Sequence, residues 1–122
     1  MTEGQIEIEY LSETTAAVVL RGEHDIYTVP ALRERLGELH QRQLFVIIDL
    51  SQTAFLDSSV LGAMLGATEA ARAQGKEVAV VLGDPPTETV ARIFEVTGLA
   101  DVLPTRATRE QAHELLAAAG DG

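Results

Sequence analysis

The chain has 122 residues, 46% of them apolar, which suits one domain with a real core and leaves little for a second. Its 19 acidic and 9 basic residues give a formal charge of −10, a field that repels nucleic acid and an anionic membrane surface alike. There is no cysteine, so disulfides, thiol catalysis and thiolate metal sites are excluded together.

The opening Met1-Thr2-Glu3-Gly4-Gln5 has neither the basic nor the apolar region of a secretory signal. No apolar run approaches the roughly 18–20 residues of a membrane span, so a cytoplasmic protein without membrane insertion is expected. Ile6-Glu7-Ile8-Glu9-Tyr10 then alternates apolar and polar positions, the period of a half-exposed strand. After Ser12-Glu13-Thr14, the uniformly apolar Ala16-Ala17-Val18-Val19-Leu20 predicts a buried strand, paired with the first as an antiparallel hairpin. Gly22-Glu23-His24-Asp25 breaks this pattern and reads as a loop. Thr28 is a candidate cap for a helix with Pro30 in its first turn. Leu32, Leu36 and Leu39 line one face of that helix, and Arg33, Glu34, Arg35 and Glu38 the other.

Phe45-Val46-Ile47-Ile48-Asp49-Leu50-Ser51 is an unbroken apolar run rich in β-branched residues, the pattern of a strand buried on both faces of a parallel sheet. It leads into Phe55-Leu56-Asp57-Ser58-Ser59-Val60-Leu61-Gly62. Asp57 and Ser58 are N-cap candidates, and Leu61, Met64, Leu65 and Thr68 predict a helix over residues 58–74, stopped by Gly75. Gly62 and Gly66, one turn apart, predict a close approach to the sheet or to a partner.

Glu77-Val78-Ala79-Val80-Val81-Leu82 reads as another buried strand, closed by Gly83. Asp84, followed by Pro85, reads as the cap of a third helix with Val90, Ile93, Phe94 and Thr97 inward and Gly98 at its end. Val102-Leu103 is expected as a short edge strand stopped by Pro104. Thr108 with Gln111 has the spacing of a capping box. The last helix turns Ala112, Leu115, Leu116 and Ala119 inward and frays through Gly120-Asp121-Gly122. The order β-β-α-β-α-β-α-β-α predicts one α/β domain, with a core over about residues 5–118. Its sheet is mixed, mostly parallel and of about five strands, with four helices.

The chemistry concentrates at the two serines. Backbone N–H groups at a helix start are unpaired and partly positive, so a seryl phosphate there finds donors. A phosphate on an exposed loop also destroys a complementary surface. The plainer reading is that Asp57, Ser58 or Ser59 only caps the helix. Ser58, His24 and Asp25 supply the residue types of a hydrolase triad, but the G-x-S-x-G elbow is absent. Asp49 and Asp57 invite comparison with an aspartyl-phosphate site, which needs several converging carboxylates that the strand ends do not offer. Phosphate-binding glycine loops and metal-ligand spacings are missing, so no cofactor, metal or catalytic residue is expected.

The segment Asp49-Leu50-Ser51 followed by residues 55–62 resembles the signature of STAS domains, in particular bacterial anti-sigma factor antagonists. Gly22-Glu23-His24-Asp25 before Pro30-Ala31-Leu32 is similar to the loop after the second strand of that family. Gly75-Lys76-Glu77-Val78 and Phe94-Glu95-Val96-Thr97-Gly98-Leu99 match it as well, so the resemblance covers nearly the whole chain. It implies a binding protein rather than an enzyme. Such a protein engages an anti-sigma factor serine kinase and frees a sigma factor. The kinase switches it off by phosphorylating the serine after the aspartate, here Ser58, with Ser59 as the alternative, and a serine phosphatase restores it. The implied contact residues are Glu23, His24, Asp25, Asp57, Ser58, Ser59, Val60 and Gly62. The resemblance departs at Val60, where the family usually carries glycine. STAS domains also serve as interaction subunits of stress-signalling and of membrane lipid or anion transport complexes, without a phosphorylation switch.

Overall fold

Two apolar strands covered by helices on both faces organise the molecule. The computed structural model describes residues 4–120. Its strands are β1 (Gln5–Tyr10), β2 (Thr15–His24), β3 (Phe45–Asp49), β4 (Thr53–Leu56), β5 (Val78–Val81) and β6 (Thr105–Arg106). Its helices are α1 (Val29–Gln41), α2 (Ser58–Ala73), α3 (Glu88–Thr97) and α4 (Arg109–Gly120). The sheet runs β1-β2-β3-β5-β6, with β1 antiparallel to β2 and every other pair parallel. It is thus the mixed, mostly parallel sheet with four helices that the strand–helix alternation predicts, and it carries a sixth strand.

Successive strand residues point to opposite faces, and here each face has its own cover. Val18, Leu20, Val46, Ile48 and Val80 pack toward Leu32 and Leu36 of α1, Met64 of α2 and Phe94 of α3. Ala17, Ile47, Ala79 and Val81 pack toward Ala112 and Leu116 of α4. This double cover is why the central runs carry no polar alternation. Burying each large aliphatic contributes about 1.5–3 kcal/mol, whereas an exposed pair such as Arg92–Glu88 contributes about 0–1 kcal/mol. The core decides the stability.

Four expectations need correcting. Gly22-Glu23-His24 is not a loop: β2 continues through His24 because its second half gains a parallel partner in β4. The register shifts between Gly22 and Glu23, and Gly22 sits at φ 83°, a left-handed conformation open to glycine. Asp84 does not cap the third helix. The cap is Thr87, whose hydroxyl accepts from the Val90 N–H at 3.4 Å, while Gly83 bridges to Pro86 in a turn. The last strand lies after Pro104, not before it, since the Val80 N–H donates to the Pro104 carbonyl at 2.8 Å and Val102 is exposed. Finally, Thr97 and Ala119 face outward rather than into the core.

Other local signals match the structure. The Thr108 hydroxyl accepts from the Gln111 N–H at 3.2 Å and the Gln111 side chain accepts from the Thr108 N–H at 3.4 Å, the reciprocal capping box. Gly98 ends α3 in the left-handed conformation at φ 67°. Asp121 and Gly122, expected to fray, lie outside the described residues.

Candidate functional site

Pairing of β2 with β4 brings two chain segments together at one end of the sheet. His24 pairs with Leu56, and the Asp57 N–H donates to the His24 carbonyl at 3.3 Å. The turn after β2 therefore lies beside the loop that opens α2. The backbone does this, so the juxtaposition does not depend on any exposed side chain.

Asp57 is the N-cap of α2, with extended backbone at φ −106° and ψ 176°. Its Oδ1 accepts from the Ser59 N–H at 3.0 Å, the Val60 N–H at 3.3 Å and the Ser59 hydroxyl at 2.5 Å. The Ser59 hydroxyl is the main influence holding this carboxyl below its ordinary value. Burial opposes it, and the N–H groups of Val60, Ser59 and Ile26 assist it. The capping carboxylate thus takes up the second and third N–H groups of the helix, those of Ser59 and Val60. A phosphate added nearby meets a helix end where a carboxylate already holds two of the N–H donors.

The two serines differ sharply. The Ser59 side chain is half-buried and committed to Asp57. Ser58 is exposed, and among the described residues its hydroxyl has no hydrogen bond. Ser58 is thus the accessible hydroxyl at the mouth of α2.

The remaining expected site residues divide into surface and support. Gly62 is exposed on α2, and a Cβ there would meet nothing within 4 Å, as at Gly66. Neither glycine serves a close approach to the sheet, which corrects that half of the expectation. Glu23 and Asp25 are half-buried on the turn. Asp25 accepts from the Tyr27 N–H at 2.9 Å and so builds the short 3-10 turn Ile26–Thr28. His24 is fully buried, which removes its side chain from any contact surface. Its Nε2 donates to the Arg21 carbonyl at 2.9 Å and its Nδ1 lies 3.3 Å from the Thr28 hydroxyl. The ring pins the turn from beneath and is not directed at Ser58, so the triad geometry is absent. Val60 is also fully buried among the core residues under α2. Val60, expected among the contact residues, thus faces the core and not a partner.

Sequence reasoning missed three surface side chains. Ile26, Tyr27 and Phe55 are 62%, 88% and 44% exposed on the turn and on β4, around the Ser58 loop. The signal was an isoleucine and a tyrosine directly after Asp25, outside any apolar period. Asp49, the other candidate acceptor, is almost fully buried. It accepts from the Ser51 hydroxyl at 2.6 Å and pairs with Arg109 of α4 at 3.0 Å. Arg109 also pairs with Glu9. Burial lowers the Arg109 value, but the bonds to Asp49 and Glu9 outweigh that and raise it. This cluster ties α4 to β1 and β3. Among the described residues no group of three acidic or histidine side chains is arranged to hold a metal. No helix among them is long and apolar enough to cross a membrane.

The STAS domain family model matches residues 6–112. An anti-sigma-B factor antagonist of Bacillus subtilis is 30% identical over 99 residues, covering 81% of this chain and 88% of that protein. One from Staphylococcus aureus is 36% identical over 89 residues, covering 70% and 78%. The crystal structure of an anti-sigma factor antagonist from Mycobacterium paratuberculosis superimposes with a TM-score of 0.78 at 28% identity, covering 93% of this chain and 94% of that one.

Proposed function

The chain belongs to the STAS domain family, and from that premise we propose that it is an anti-sigma factor antagonist acting by binding, not by catalysis. In this reading the whole chain works as one STAS domain. It captures an anti-sigma factor that is also a serine kinase and so releases a sigma factor, a role exercised in the cytoplasm. Phosphorylation of Ser58 ends the capture, and a serine phosphatase restores it. The anti-sigma-B factor antagonists among its relatives support the binding role.

The observation that carries the switch is the contrast between the two serines. Ser58 offers an exposed, uncommitted hydroxyl, whereas the Ser59 hydroxyl donates its hydrogen bond to the capping carboxylate. A seryl phosphate adds about two negative charges at neutral pH. With Asp57 already ionised and holding the Ser59 and Val60 N–H groups, that charge stays at the surface. It then faces a partner seated on Ile26, Tyr27, Phe55 and the Ser58 loop. Burying an uncompensated dianion there costs several kcal/mol, enough to dissolve a moderate complex. The test is incubation with the anti-sigma factor and ATP. One added phosphate mapping to Ser58, with loss of the complex, is the expected result; a phosphate mapping only to Ser59 defeats the assignment.

A further inference from the structure

A second feature lies away from the Ser58 loop, between α1 and α2. The two helices leave a cleft of about 280 Å³ above the sheet, floored by Val46 and Val78 and walled by Gly37, Gly66 and the alanines of α2. A Cβ at Gly37 or Gly66 would meet nothing within 4 Å, so glycine is not there to let the backbones touch. Glycine costs helix stability, and at these two positions its effect is to keep the cleft open.

The rim is chemically distinct from the rest of the molecule. Arg33 and His40 are the polar side chains of the lining, and no carboxylate takes part in it, although acids outnumber bases 19 to 9. Among the described residues the side chain of neither Arg33 nor His40 has an ion pair or a hydrogen bond. A guanidinium left without a carboxylate in so acidic a chain, above an apolar floor, is complementary to a ligand with one anionic head and a short apolar body. The volume exceeds the ~150 Å³ of a cavity that takes benzene and lies near the lower end, about 300 Å³, of ordinary ligand pockets.

We propose that the α1–α2 cleft is a binding site for a small anionic amphiphile, a free aliphatic carboxylate whose chain lies along Gly37, Ala67 and Ala70 and whose head meets Arg33 and His40. Occupation covers the half-exposed Gly37, Ala67 and Ala70 and pairs the two basic groups at once, and neither gain needs the Ser58 loop. The site is therefore independent of the antagonist role.

The probe is sodium octanoate, titrated below micelle formation into the isotope-labelled full chain and followed by amide NMR. Saturable one-site shifts at Gly37, His40, Ala67 and Ala70 are expected. Gly66→Leu plugs the cleft and weakens binding at least tenfold, with Gly37→Leu as the second plug should the first variant lose its folded spectrum. Arg33→Glu weakens it at least threefold, and octanol, lacking the charge, binds at least threefold more weakly than octanoate. Non-saturating shifts spread over the surface, unchanged affinity in a folded plugged variant, or equal binding of octanol each overturn the proposal. So does sedimentation that finds a dimer which Gly66→Leu dissociates, since a second copy of the chain then fills the cleft.

Discussion

Ser59 donates its hydroxyl hydrogen to Oδ1 of Asp57 at 2.5 Å, and that bond separates two adjacent serines into a structural one and a free one. Ser58, one residue closer to the helix end, is left exposed and without a hydrogen bond among the described residues. The division follows from helix-start geometry, in which the cap carboxylate faces the second and third helical residues and not the first.

Ser58→Ala removes phosphate incorporation from the anti-sigma kinase, read as loss of a phosphate from the intact mass, while Ser59→Ala keeps it. Ser58→Asp weakens the complex by about tenfold or more in calorimetry, because a buried extra charge costs at least a kcal/mol or two. Full incorporation into Ser58→Ala contradicts the assignment.

Asp57→Ala strips α2 of its cap and lowers stability by about 1 kcal/mol, within the usual 0.5–2 kcal/mol of such changes. The pH dependence has a definite sign. A carboxyl value held down in the folded state stabilises the protein above the unfolded value of about 4, and this share is lost as pH falls through the lower folded value. Thermal melts from neutral to acid pH therefore converge for the wild type and Asp57→Ala. A gap that widens toward acid pH shows the sign to be wrong.

Tyr27→Ser changes stability by less than about 0.5 kcal/mol, since the ring is 88% exposed and packs on little of its own chain. Partner affinity falls by about tenfold, as for a central aromatic contact. Denaturant unfolding and surface-binding measurements on the same sample separate the two, and intact affinity removes the turn from the proposed interface.

Val60→Gly costs roughly 2–4 kcal/mol, combining a helical glycine with an emptied core position. Phosphate transfer to Ser58 in the folded fraction stays at its wild-type rate, because Val60 faces inward. A variant of unchanged stability and altered transfer instead assigns Val60 to the partner surface.

Arg109→Ala leaves the nearly buried Asp49 without its cation and destabilises by roughly 2–3 kcal/mol, at the low end for a buried pair because Arg109 is partly exposed. Asp49→Asn in the same molecule recovers part of the loss. Urea unfolding of the single and double variants gives the coupling directly, and strict additivity excludes the pair as a latch for α4.

Local chemistry made much of the molecule legible in advance. The Thr108–Gln111 box, the stop at Gly98, the cap at Asp57 and the inward leucines of α1 each depend on residues within a turn or two of one another. Errors gathered where the partner is distant in sequence. Gly22-Glu23-His24 reads as a loop until Thr53–Leu56 lies beside it, a pairing across about thirty residues that no window captures. The strand after Pro104 likewise depends on its pairing with β5.

By itself the sequence determined the alternation of strands and helices and the placing of a serine at the mouth of α2, because hydrophobic period and capping are properties of short segments. Tertiary structure alone decided that Ser58 is the open hydroxyl, that His24 and Val60 are buried props, and that Ile26, Tyr27 and Phe55 lie exposed around the Ser58 loop. It did so because exposure is set by what other segments cover, and that cover arrives only when β4 pairs with β2 and the helices close over the sheet.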